Sequence, residues 1–178
     1  MLVRQSVGVF LRRELPGDHD GVFALHAAAF ARPGEATAPE AILVRALRED
    51  GDIVPELSIV AEQDSKVVGH VVCSPATVDG QPSLGLGPLG VHPDRQRRGI
   101  GQALMHAVLA AADALGAPAV FLLGDPAYYR RFGFDLAVHA GVQPPEAQWR
   151  EHFQVRRLTT WTDSIQGTFR YAPAFARL

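Results

Sequence analysis

Cysteine is nearly absent: Cys73 stands alone among 178 residues. A disulfide framework within the chain is excluded, and a lone thiol fits a reducing compartment. No apolar run approaches the roughly 20 residues needed to span a bilayer. The opening MLVRQSVGVFLRREL alternates and carries charges, so it reads as a strand and not as a secretory leader. Neither sign of charge dominates, since 17 Lys and Arg against 19 Asp and Glu leave a net −2. No broad positive field therefore points to nucleic acid or to a membrane surface. No repeat with a period of roughly 20–50 residues is visible. The seven histidines form no H-x-x-x-H or Cys/His pairing, so no metal is expected. What remains is globular in composition, 47% hydrophobic and 20% charged. The expectation is a cytoplasmic protein of one domain, 1–178, without nucleic-acid or membrane partners.

Along the chain, Val7, Val9 and Leu11 alternate as a first strand does. Asp18 or Asp20 can cap a helix carrying Val22, Leu25, Ala29 and Phe30. ARPGEATAP (31–39) breaks it, and Pro39 opens a second helix with Ile42, Leu43, Ala46 and Leu47, closed by Gly51. Three β-rich runs follow: LSIVAE, KVVGHVVCSPATV and SLGLGPLGV. Gln63-Asp64-Ser65 and Asp79-Gly80-Gln81-Pro82 separate them, which predicts an antiparallel meander. Ile100, Leu104, Val108, Ala111 and Leu115 share one face of a helix over 100–115, ended by Gly116 and Pro118. AVFLLG (119–124) reads as a buried parallel strand. Asp125 caps a short helix ending at Gly133. HFQVRRL (152–158) reads as a late strand that could pair within the chain or across a homodimer, and 167–175 looks irregular.

Two glycine patterns lie close together. Gly85-Leu86-Gly87-Pro88-Leu89-Gly90 matches the dinucleotide fingerprint letter for letter. That fingerprint requires a helix to open at once, with its N-terminus on the pyrophosphate. Here Val-His-Pro-Asp follows, and Pro88 lacks a donor. A strand end whose glycines allow a bulge or the close approach of another backbone fits better. Gln96-Arg97-Arg98-Gly99-Ile100-Gly101 fails the letter test but has the context: a strand before it and an amphipathic helix after it. Glycines there free successive amides, the helix N-terminus adds about half a positive charge, and Arg95, Arg97 and Arg98 suit phosphate. The alternative is a basic surface turn. No G-K-[ST] follows, so it is not a P-loop.

The run VHPDRQRRGIGQAL resembles the acyl-CoA-binding signature [QR]-x-x-G-x-[GA] of the GNAT superfamily of N-acetyltransferases. Tyr128-Tyr129-Arg130-Arg131-Phe132-Gly133-Phe134 is similar to the family's aromatic-Tyr-x-x-x-Gly-Phe segment after the fifth strand. The resemblance runs from about residue 4 to about 140, leaving a divergent C-terminal part at 141–178. It implies an α/β fold: a mixed, mostly antiparallel six- or seven-stranded sheet flanked by helices. A splayed parallel pair of strands would form the CoA cleft. It implies acetyl-CoA as cosubstrate, its pantetheine arm beside Leu89 and Val91. Its pyrophosphate would lie on Gln96, Arg97, Arg98, Gly99, Ile100, Gly101 and Gln102.

The implied reaction is direct attack of a primary amine of a small molecule or peptide on the thioester. It needs an oxyanion donor, a proton for the thiolate and a base for the substrate ammonium. Backbone amides near Gly90 and Val91 could serve the oxyanion. Tyr129 matches the family's tyrosine and is the expected general acid, with Tyr128 as packing. Both could instead form an aromatic core cluster. The base is not legible. Many members carry a Glu on the fourth strand, and SLGLGPLGV has none. Glu35, Glu40 and His92 are candidates, and a covalent route through Cys73 is disfavoured because a lone buried thiol is usually inert. The missing Glu leaves open a non-catalytic acyl-CoA-binding regulatory module, or a phosphate-recognising domain without CoA.

Overall fold

The computed structural model describes residues 8–177. Val7 of the expected first strand lies outside them. Strand β1 (Phe10–Arg13) leads into helices α1 (His19–Ala29) and α2 (Pro39–Glu49). Asp18 stands at the N-cap of α1, but its carboxylate makes no cap bond. It takes the Arg12 guanidinium at 2.7 Å and the Leu15 amide at 2.8 Å instead, tying β1 to the helix start. Pro39 does occupy the first turn of α2, where its missing N–H costs nothing.

Strands β2 (Ser58–Gln63), β3 (Lys66–Val78) and β4 (Gln81–Val91) form the antiparallel meander. Its turns are shorter than expected. Asp64-Ser65 and Asp79-Gly80 each hold positive φ at both positions, 52° and 59°, then 43° and 83°. Two left-handed residues make the tight turn whose twist matches a right-twisted hairpin. Gln81 and Pro82 therefore belong to β4, paired with Val78 and Thr77.

Helix α3 (Ile100–Ala114), strand β5 (Ala119–Leu123) and helix α4 (Pro126–Tyr129) follow. The buried stripe of α3 runs through Ile100, Leu104, Met105, Val108, Leu109 and Ala112. Leu115, expected on that stripe, falls just past the helix and is exposed. The Asp125 carboxylate caps α4 by accepting from the Ala127 amide at 2.9 Å. Strands β6 (Asp135–Leu136), β7 (Val142–Gln143), β8 (Phe153–Arg157) and β9 (Gly167–Arg170) complete the chain.

The sheet order is β1-β2-β3-β4-β5-β8-β6, and β9 adds to the far end of β3 while pairing in parallel with β7. The fold is thus mixed α/β with a mostly antiparallel sheet. The late strand β8 pairs within the chain, between β5 and β6. The segment expected to be irregular supplies β9, held by Phe169 tilted against the stacked rings of Phe121 and Phe153, with centroids 4.8–5.7 Å apart. Such aromatic contacts are worth about 0.5–1.5 kcal/mol beyond area burial.

One local feature opens the sheet. β4 and β5 run parallel and pair only at Leu84–Val120 and Gly85–Phe121. Beyond Gly85 the two strands part. There β4 carries a bulge, with Gly87 and Pro88 both facing Val72, and Gly87 has a φ of 153° that glycine alone tolerates. The extra residue preserves the alternation. Leu86, Leu89 and Val91 oppose Cys73, Val71 and Gly69 on one face, and Gly85 and Gly90 oppose Ser74 and His70 on the other. α3 covers the first face: a Cβ on Gly69 would lie 2.9 Å from Ile100. α1 covers the second.

Gly87 carries the bulge, while Gly85 and Gly90 make room for rings and not for a neighbouring backbone. A Cβ at Gly85 would meet Tyr171 at 2.8 Å, and one at Gly90 would meet His26 at 2.7 Å. Among the described residues, no helix is long and apolar enough to cross a membrane. No group of three or more His, Cys, Asp or Glu among them stands where it could hold a metal ion.

Candidate active site

The chain leaves β4 through His92 and a short 3-10 turn, Pro93–Arg95, in which the His92 side chain accepts from the Asp94 amide at 3.3 Å. His92 therefore serves as a cap. Arg95 donates from Nε to Gln63 Oε1 at 3.0 Å, and Gln96 from Nε2 to Val91 O at 3.1 Å. These bonds hold the loop against the ends of β2 and β4. Arg97 and Gly99 adopt left-handed backbone, φ 57° and 82°, and Gly99 is the N-cap of α3. The carbonyl of Gly99 receives the amide of Ala103 at 2.9 Å. The amides from Gly99 to Gln102 precede that first bond and have no intrahelical carbonyl, so they face outward with the positive end of the helix.

They face a cavity of about 530 Å³ beside the end of β4, past the point where it parts from β5. Leu89, Val91, Gln96, Arg97, Gly99, Ile100, Gly101, Gln102 and Tyr129, all singled out from the sequence, line it together. Arg98 does not; it is exposed outside the wall. Arg95, Tyr128 and Arg131 complete the lining. Arg131 carried no expected role. It sits one helical turn after Tyr128, donates from Nε to Tyr128 O at 2.9 Å, and lays its guanidinium 4.9 Å from the centre of the Tyr128 ring. That i, i+3 spacing in YYRR was the signal available in the sequence. Three arginines thus converge on one cavity.

The two tyrosines stand edge to face, 4.9 Å between centroids. Tyr129 is the deeper, against Phe134 at 5.8 Å. Burial pushes its phenol up to about 12, with the neighbouring Tyr128 adding to the shift. The hydroxyl therefore stays protonated throughout the neutral range. Gly124 makes its seat: a Cβ there would lie 2.4 Å from the Tyr129 ring. Gly101 does the same for the other ring, since a Cβ would meet the Tyr128 hydroxyl at 3.1 Å. Tyr128, expected only to pack, lines the cavity as well.

The remaining candidates are placed elsewhere. Arg32 pairs with Glu40 at 2.6 Å and with Glu35 at 3.5 Å, so neither carboxylate is an isolated base. Cys73 is fully buried on β3, and burial raises its thiol far above the ordinary range.

A parallel strand pair that parts beside an arginine-ringed helix N-terminus, with a half-buried tyrosine opposite, is the frame of an acyl-CoA-type transferase. The profile of the family described as Acetyltransferase (GNAT) family matches residues 22–134. The chain belongs to this family. It is similar to YhbS of Escherichia coli strain K12, called an uncharacterized N-acetyltransferase: 36% identical over 162 residues, 89% of this chain and 92% of the relative. The fold superposes on a crystal structure of E. coli YhbS in complex with CoA with a TM-score of 0.87, at 32% identity, covering 100% of this chain and 97% of that one. A GNAT family acetyltransferase from Brucella melitensis in complex with acetyl-CoA gives 0.78, at 34% identity, covering 94% and 98%.

Proposed function

We propose that this N-acetyltransferase moves an acetyl group from acetyl-CoA to a primary amine of a small molecule or peptide by direct transfer. One observation carries the reading: the free first-turn amides of α3, three arginines, the unpaired edge of β4 and Tyr129 share a single cavity. Relatives bound to CoA and acetyl-CoA support it. The Gln96 amide is taken by Pro93 O at 3.4 Å, so the pyrophosphate lies on the free amides from Gly99 to Gln102, with Arg95, Arg97 and Arg131 around it. Arg98 contributes charge from outside the wall. The pantetheine arm follows β4 along Leu89 and Val91.

The thioester carbonyl then rests beside the end of β4. The His92 amide bonds to Val68 O at 2.9 Å. Antiparallel alternation therefore turns the amides of Leu89 and Val91 to the opposite edge, into the cleft. Val91 is the oxyanion donor and Gly90, whose amide faces β3, is not. One such donor is worth roughly 10²–10³ in rate. Tyr129 gives its proton to the departing thiolate.

A second reading, a CoA-binding regulatory module without turnover, is favoured by one feature: β4 carries no carboxylate. Thermal unfolding with CoA tests the shared part. At a concentration 100 times the Kd, a ligand specific for the folded state adds about 2.7 kcal/mol. A rise in Tm with CoA is expected, and no rise at millimolar CoA would overturn both readings.

A further inference from the structure

Four polar side chains form a line on the α1 side of the sheet, away from the cavity, three of them buried in the core and Glu14 half-buried at its outer end. They are Glu14 just after β1, Ser58 on β2, His70 on β3 and His26 on α1. Both histidines are 0% exposed. Ser58 Oγ donates to Glu14 Oε2 and lies 2.9 Å from His70 Nε2; His70 Nδ1 lies 2.8 Å from His26 Nε2. Arg48 of α2 pairs with Glu14 Oε1.

The chemistry of the groups gives this line a direction. A carboxylate only accepts, so the Ser58 proton points at Glu14. Ser58 Oγ must then accept from His70 Nε2–H. His70 Nδ1 is left as an acceptor and takes His26 Nε2–H. The bare lone pair of the line ends up on His26 Nδ1. That nitrogen is buried and has no hydrogen-bond partner. An orphaned buried acceptor costs about 1–3 kcal/mol, so its retention asks for a use. It abuts Gly90: a Cβ there would lie 2.7 Å from it, and the stacked Phe30 ring reaches the same point at 3.3 Å. Gly90 precedes Val91, whose opposite face lines the cavity. The lone pair therefore backs onto the stretch of β4 where the thioester would rest, on the face opposite α3 and the tyrosines.

We propose that this line supplies the base that β4 lacks: His26 Nδ1 takes a proton from the substrate ammonium through one bridging water. This rests on the transferase reading above. His26 gains a proton at Nδ1 and passes its Nε2 proton to His70 Nδ1. The positive charge leaves the ammonium and rests on His70 as an imidazolium beside Glu14, 3.5 Å away. His70, Ser58 and Glu14 are positioning residues. The freed amine attacks. Once it has attacked, the proton returns from His70 Nδ1 to His26 Nε2 and leaves from His26 Nδ1 through the same water, so both rings are again Nε2–H; Glu14 and Ser58 stay in place beside Arg48. The second proton, lost by nitrogen as the amide forms, restores Tyr129 after Tyr129 has protonated the thiolate. Burial keeps both imidazoles neutral near pH 7; Arg48 opposes their charging, while Glu14 favours it for both and Asp18 for His70.

The test is thiol release from acetyl-CoA with a panel of polyamines, arylalkylamines, aminoglycosides and dipeptides, followed across pH. His26→Gln keeps an N–H donor toward His70 but cannot accept the proton. It should lower kcat about 10²-fold or more, leave KM for acetyl-CoA unchanged and abolish the acidic limb. Glu14→Gln removes the charge that favours the imidazolium, so its limb should move to lower pH. Wild-type kcat and an unchanged limb in His26→Gln would overturn the proposal. Should His26→Gln not fold, judged by its response to CoA, Glu14→Gln decides. A wild type that binds CoA but acetylates no amine defeats the transferase reading itself, and the relay with it. Independently of turnover, ¹⁵N spectra of histidine-labelled protein should show both rings as Nε2–H tautomers. A proton on His26 Nδ1 at neutral pH would overturn the direction of the line.

Discussion

Gly124→Ala should separate the hydroxyl of Tyr129 from the packing of its ring. A Cβ at 124 would sit 2.4 Å from Tyr129 Cε2 and 3.0 Å from Cδ2. Ordinary contact starts near 3.4 Å, so the ring must retreat by about 1 Å. It has little room, with Tyr128 edge-on at 4.9 Å and Phe134 at 5.8 Å. Overpacking of this kind costs about 1–3 kcal/mol. For a chain of this length that is about 2–12 °C in Tm. A displacement of about 1 Å from the reacting atoms can cost up to 10²-fold in rate. Tyr129→Phe removes only the hydroxyl and should lower kcat by about 10²–10⁴-fold while leaving CoA binding and Tm nearly unchanged. If Gly124→Ala acts through that hydroxyl, the two effects on kcat must not add. In the Tyr129→Phe background Gly124→Ala should change kcat less than about threefold, while still lowering Tm. The assay is steady-state thiol release with whichever amine of the panel is turned over fastest. Additive losses in kcat, or an unchanged kcat in Tyr129→Phe, would refute the acid role and return Tyr129 to packing.

Two further outcomes follow from the core. His26 and His70 are held neutral by burial, below the ordinary 6.5, so below that pH the unfolded chain binds protons that the folded one refuses. Stability should fall on acidification from about pH 6.5, by up to about 1.4 kcal/mol per pH unit for each imidazole. For Glu14, burial alone would raise the carboxyl, but His70, Ser58 and Arg48 together hold it down to about 2. Its contribution is fully present above about pH 4.5 and drains away below that. Urea unfolding at pH 7.5, 5.5 and 4 reads both effects, and a flat profile would contradict the neutral buried pair. Cys73 should resist thiol reagents in the native protein and react fully in denaturant. Stoichiometric labelling of the folded protein within minutes would contradict its burial.

What could be read from the sequence was what neighbours along the chain decide. The Asp-led turns, the Asp125 cap and the start of α3 each depend on a few adjacent residues; the cap and the start of α3 appear where expected, and the turns within the expected stretches but shorter. Errors arose where partners came from afar. Gln81 and Pro82 looked like turn residues, but a two-residue turn left them to pair across the hairpin. Residues 167–170 lack alternation and become β9 because Phe169 fills a gap between Phe121 and Phe153. Leu115 has the spacing of the buried face but lies past the last turn. The phosphate cradle was legible because strand, glycines and helix are contiguous. The line Glu14–Ser58–His70–His26 was not, because its members come from three elements and the connection after β1 and share no local spacing. Only the topology brings them together behind Gly90.

The central claim is that one cavity holds acetyl-CoA and delivers its acetyl group to an amine. Thiol release from acetyl-CoA, with the acetylated product identified by mass, measures it directly. The account predicts amine-dependent release that adds 42 mass units, the replacement of one amine hydrogen by acetyl, and loses most of its rate in Tyr129→Phe. CoA binding with no amine-dependent release across the panel would contradict it and leave a CoA-binding module in its place.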